Sequence, residues 1–117
     1  MKETAIKRYS SPMADSTSGS GNLAHLDAIA RAIPPWVPHA ALTVNQATLR
    51  VVRYDAHGPG VHHHDVDECY VVLDGELVIE LPGEPSLHLK KGDAYAVRAG
   101  TPHRPFALPT ASILLIT

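Results

Sequence analysis

A single cysteine, Cys69, leaves this chain without any intrachain disulfide. That suits a reducing compartment, and the cytoplasm is the expected setting. Charge of one sign is also lacking: ten Lys and Arg stand against twelve Asp and Glu, a formal net charge of −2. No basic field is present to hold a phosphate backbone, so a nucleic acid is not an expected partner. No apolar run reaches the length of a membrane-spanning helix. The basic start, Lys2, Lys7 and Arg8, is not followed by the apolar stretch of a secretory signal. A membrane partner is therefore not expected either. What is present in quantity is histidine, eight in 117 residues, and three of the eight are consecutive.

The length fits one small domain. Residues 1–21 hold almost nothing to bury, with Ser10-Ser11-Pro12 and Asp15-Ser16-Thr17-Ser18-Gly19-Ser20-Gly21 small and polar, and they read as a flexible N-terminal arm. Residues 22–117 form the expected domain. Asn22 offers an N-cap for a short helix. Leu23, Leu26, Ile29, Ala30 and Ile33 recur at helical spacing. Pro34-Pro35 ends the helix by removing N–H donors and restricting the preceding residue. Trp36, the only Trp, is expected to plug one end of the core.

From Thr43 onward the period changes to two. Ala47–Tyr54, Cys69–Leu73, Glu76–Leu81, Ser86–Leu89, Tyr95–Val97, Arg104–Ala107 and Ser112–Ile116 read as short strands, bounded by Gly and Pro. Asp74-Gly75 between the second and third predicts a tight hairpin, whose turn needs positive φ. The series predicts an all-β sandwich or barrel.

The histidine run sits ahead of a strand as His62-x-His64-x-x-x-Glu68, followed by Gly75. Alternate side chains of extended backbone share a face and lie about 6.5–7 Å apart, so His62 and His64 face one way and His63 the other. Glu68 begins the next strand, where its carboxylate closes on the same centre. His103, in Gly92-Asp93 … Gly100-Thr101-Pro102-His103, reaches it from a second segment. Three imidazoles and a carboxylate suit a divalent transition metal, with Fe, Mn, Ni, Zn and Cu all compatible. Such a set leaves open positions for water, substrate or dioxygen. Strand parity also puts Tyr70 on the face of Glu68, and Arg53 on that of Leu49 and Val51. Both are candidate substrate-binding residues, Arg53 for a carboxylate.

These residues resemble the two motifs of the cupin superfamily. His62, His64, Glu68 and Gly75 match the first motif; Gly92, Gly100 and His103 match the second. The similarity runs from about Trp36 to Ile116, and Asp67-Glu68-Cys69-Tyr70-Val71-Val72-Leu73-Asp74-Gly75 looks like the small single-domain cupin-2 type. Three positions depart from the pattern: Ala56 falls where the first motif has its leading glycine, Arg98 replaces a proline, and Ala107 replaces an asparagine. None is a ligand position. The resemblance implies a small jelly-roll barrel, a metal held by His62, His64, Glu68 and His103, and pairing as a homodimer. It leaves the reaction open, since this superfamily includes dioxygenases, isomerases, decarboxylases, storage proteins and sensors. A metal-dependent, dioxygenase-like enzyme on a small organic substrate is the leading expectation. A non-redox isomerase or lyase, and a non-catalytic metal- or ligand-sensing module, are the alternatives.

Overall fold

The structure, a computed structural model, describes residues 21–117. The expected arm over residues 1–21 lies outside the described residues except for Gly21. The elements in chain order are α1 (Leu26–Ala32), β1 (His39–Val44), β2 (Ala47–Asp55), β3 (Glu68–Glu80), β4 (Leu87–Lys90), β5 (Ala94–Val97) and β6 (Arg104–Ile116). All pairings between these strands are antiparallel. The sheet runs β1-β2-β6-β3-β4, and β5 pairs with the first part of β3. The expectation of an all-β jelly-roll barrel with one short helix is met. Among the described residues no helix is long and apolar enough to cross a membrane.

Two apolar clusters lie on opposite sides of β2. Val52 and Tyr54 point into the barrel with Tyr70, Val72, Leu77, Ile79, Ile113 and Leu115. Val51 points out and packs with Ala41 under α1, against Ile29, Ala30 and Ile33. Seven residues make too short a helix to persist alone. Burying Ile29 and Ile33, each worth about 1.5–3 kcal/mol, is what holds it. Tertiary packing also moves the start of the helix. The N-cap position is His25, without a side-chain capping bond, rather than Asn22, and Leu23 is exposed. The end falls as expected: Ile33, before Pro34, is already extended.

The hairpin expected at Asp74-Gly75 does not form. Cys69–Leu73 and Glu76–Leu81 belong to one strand, β3, which runs on through the glycine to Glu80. Its partner β6 is equally long and joins the two segments expected as separate strands. Gly75 does take positive φ, +84°, but in a bulge, where the β3–β6 register shifts between Val72 and Asp74 and again between Gly75 and Leu77. A bulge changes the phase of alternation. Before it, Glu68, Tyr70 and Val72 are inward; after it, Leu77 and Ile79 are. β3 and β6 thus form one long ribbon that bends at Gly75. Cys69 pairs with Ile116 at one end and Glu80 with Arg104 at the other.

Candidate metal centre

The bent ribbon brings its two ends together at the site. Laid straight, 13 residues would span roughly 40 Å. Yet Glu68, which opens β3, has Oε1 3.7 Å from Nε2 of His103, the residue before β6. An isolated antiparallel bridge between His62 and His103 fixes the segment 62–64 against this corner, with N–H···O bonds of 2.9 Å in both directions. The Gly100 amide donates to the His64 carbonyl at 2.8 Å, a second tie between the two motifs.

One ligand atom from each of His62, His64 and His103 lies within 4.8 Å of the other two. Three nitrogens each about 2.0–2.1 Å from a shared ion sit about 3–4 Å apart, so a small closure seats one. Backbone carbonyls set two of the rings. His62 Nδ1 is 2.9 Å from the Gly60 carbonyl, and His103 Nδ1 is 2.8 Å from that of Thr101. A carbonyl only accepts, so Nδ1 carries the proton in both rings and Nε2 presents its lone pair. This is how metal-binding imidazoles are commonly held. His64 Nε2 lies 3.5 Å from Glu68 Oε1, so the carboxylate borders both His64 and His103. His63 is exposed and outside this cluster.

The centre is buried on one side and open on the other. His103 is fully buried and Glu68 is 8 % exposed, while the His64 side chain is 43 % exposed. Burial holds His103 below the usual imidazole range; the Thr101 carbonyl and then Glu68 oppose it, while His62 and His64 add to it. The neutral, ligating form is therefore favoured. The Tyr70 hydroxyl donates to Glu68 Oε1 at 3.2 Å and stands 3.2 Å from His103 Nε2. One hydroxyl proton cannot serve both acceptors. A cation among them satisfies the one left over, so the donor set fits a metal ion. Burial, then the charge of neighbouring groups, raises the Tyr70 hydroxyl well above its ordinary range, and burial does the same for the hydrogen-bonded Tyr54.

Arg53 lies elsewhere. It shares the parity of Val51, on the helix-covered face, and its Nη2 donates to the Ile33 carbonyl at the end of α1 at 2.7 Å. There it holds a free helix-end carbonyl rather than facing the site. Trp36 meets its expected role and extends it. It stacks on Tyr54 with ring centroids 4.1 Å apart, and donates from Nε1 to Asp55 at 2.8 Å. Its ring edge fills the space beside Gly58, where a Cβ would come within 2.6 Å of it. Trp36 thereby steadies the loop that leads to His62. The Gly60 and Thr101 carbonyls escape sequence reasoning because any residue carries one. Asp67 escapes it because its partner, the Ala99 amide, is distant in sequence.

The Cupin domain family model matches residues 48–116, more than half of the chain. Uncharacterized protein YdbB of Bacillus subtilis (strain 168) is 34 % identical over 73 residues, covering 56 % of this chain and 61 % of that protein. The chain thus spans under two thirds of the length of this curated relative. A cupin-2 domain containing protein from Shewanella frigidimarina NCIMB 400 superposes with a TM-score of 0.71 at 25 % identity, over 78 % of this chain and 88 % of that one. DMSP lyase DddQ from Ruegeria pomeroyi DSS-3 superposes with a TM-score of 0.54 at 25 % identity, over 60 % of this chain and 36 % of that one. With both motifs brought to one corner of the barrel and the family model spanning β2 to β6, this chain belongs to the cupin domain family.

Proposed function

We propose that the protein is a metal-dependent enzyme acting on a small organic molecule, with a divalent transition ion held by His62, His64, Glu68 and His103. The observation that carries this reading is the convergence of His62, His64 and His103, one ligand atom of each within 4.8 Å of the others, with two of the rings fixed at Nδ1 by backbone carbonyls. When bound, such an ion supplies Lewis acidity and, for a redox-active metal, electrons for oxidation by dioxygen. Dioxygen-dependent oxidation is the leading chemistry. The chain's own part is to orient and to exclude water. His64 marks the open approach, exposed Val61 and Val66 flank it in sequence, and Tyr70 keeps its proton beside Glu68 and His103. The lone cysteine supports a reducing, cytoplasmic setting, and β1, which ends the sheet, offers an edge through which two copies would pair as a homodimer.

Tyr70 also favours a second reading, a non-redox lyase or isomerase. A hydroxyl held protonated next to the ligands can donate to a leaving group or an enolate. The similarity to the DMSP lyase points the same way. The experiment is metal analysis of protein purified without chelator, followed by dioxygen uptake over diketones, catechols and thiols. Metal-dependent oxygen consumption is expected. Turnover that persists under argon selects the lyase or isomerase. Tight ligand binding without any turnover in Fe(II), Mn(II) or Ni(II) overturns the enzyme in favour of a binding or sensing protein.

A further inference from the structure

Asp67 immediately precedes Glu68 and β3, is exposed, and lies outside the ligand cluster. Its carboxylate nonetheless spans the two segments that carry the histidines. Oδ1 accepts the Ala99 amide at 2.8 Å, and Oδ2 faces Arg98 Nη1 at 3.3 Å. Ala99 belongs to a tight turn closed by the Thr101 amide on the Arg98 carbonyl at 3.1 Å, with Gly100 at φ +80°. The Gly100 amide reaches the His64 carbonyl, and the Thr101 carbonyl holds His103 Nδ1. Three successive amides of this turn are engaged, two of them by the first motif, and its far end sets the imidazole.

We propose that Asp67 is a positioning residue for the metal centre: it docks the 98–101 turn so that Thr101 keeps His103 Nε2 aimed at the ion. This rests on the metal-binding reading above. Two features of Asp67 could act here, and they are unequal. The Arg98 pair is exposed at both ends, 74 % and 57 %, and pairs of that kind contribute little. The bond to the Ala99 amide fixes main chain, and the main chain carries the carbonyl that orients His103. Acceptor geometry, not the charge pair, is what the site uses.

The test compares the wild type with Asp67→Ala, Asp67→Asn and Arg98→Ala. Zn(II) affinity is measured by competition with a chromophoric chelator. The ¹⁵N shifts of the His103 ring are measured in metal-free protein. Asp67→Ala is expected to weaken Zn(II) about 10- to 100-fold, the range for groups that orient ligands, and to release the fixed Nδ1–H tautomer. Asp67→Asn and Arg98→Ala, which keep an acceptor for Ala99, should stay within a few-fold with the tautomer intact. An Asp67→Ala protein that binds like the wild type, or Arg98→Ala weakening Zn(II) equally, overturns the proposal. If Asp67→Ala does not fold, Asp67→Ser, too short to reach Ala99, takes its place. Wild-type protein that takes up no Zn(II) refutes the metal centre itself, whereas an unchanged tautomer in Asp67→Ala refutes the docking role alone.

Discussion

At the scale of single residues, the consecutive histidines divide into two that join the cluster with His103, His62 and His64, and one, His63, that stays outside it. His62→Ala and His103→Ala should each lose most of the bound metal, a drop in affinity of at least about tenfold, while His63→Ala retains it. Elemental analysis of the three purified proteins decides this, and a result in which His63→Ala strips the metal would show the register to be wrong. This part of the site was legible in the sequence because extended backbone leaves a side chain only two directions. Tyr70 was legible for the same reason, two residues from Glu68. Arg53 was not. Val51 and Val52 are both fully buried, since α1 covers the outer face of β2, so alternation along that strand carries no mark of which side is the interior.

At the scale of elements, Gly75 is where local and long-range information part. A two-residue hairpin turn and a bulge both ask for positive φ, and Asp-Gly satisfies either. The choice is made by β6, which runs alongside on both sides of the glycine and prevents β3 from folding back on itself. The phase change from Tyr70 and Val72 to Leu77 and Ile79 is the trace this leaves in the sequence. Gly75→Ala should cost at least about 2 kcal/mol, combining an unfavourable left-handed residue with overpacking. An added Cβ would sit 2.2 Å from the Thr110 carbonyl oxygen and 2.8 Å from Ala111 Cα, both backbone atoms of the partner strand. Urea denaturation measures this, and a change below about 0.5 kcal/mol, the ordinary range for surface substitutions, would mean the ribbon is free to shift there.

For the molecule as a whole, acidity should act in two stages on metal-free protein. His103 has its folded value held below the ordinary one by burial and by the facing imidazoles, with Glu68 and the Thr101 carbonyl opposing. The unfolded chain therefore binds this proton first, and stability falls as pH drops below about 6.5. Asp55, Asp67 and Glu80 are held below the usual carboxylate range, chiefly by hydrogen bonds from Trp36, the Ala99 amide and Arg104 respectively. Their contribution is present above about pH 4 and is lost below it. Bound metal should mask the first stage, because an occupied imidazole nitrogen has no lone pair for a proton. Urea midpoints between pH 8 and 4, in chelator and in Zn(II), test this; a flat profile between pH 7 and 5 in chelator would sink the assignment to His103.

The bent β3–β6 ribbon would give a bound ion a further role that no single ligand bond conveys. From Glu68 the chain follows β3 through the bend at Gly75 to Glu80, whose cross-strand partner Arg104 directly follows His103, and His103 stands beside Glu68 again. An ion bound there would be a buckle on a strap, joining two points that are remote along the hydrogen-bonded path but adjacent in space. Losing a bound ion would release that closure, so the bend at Gly75 would depend on a metal that it never touches.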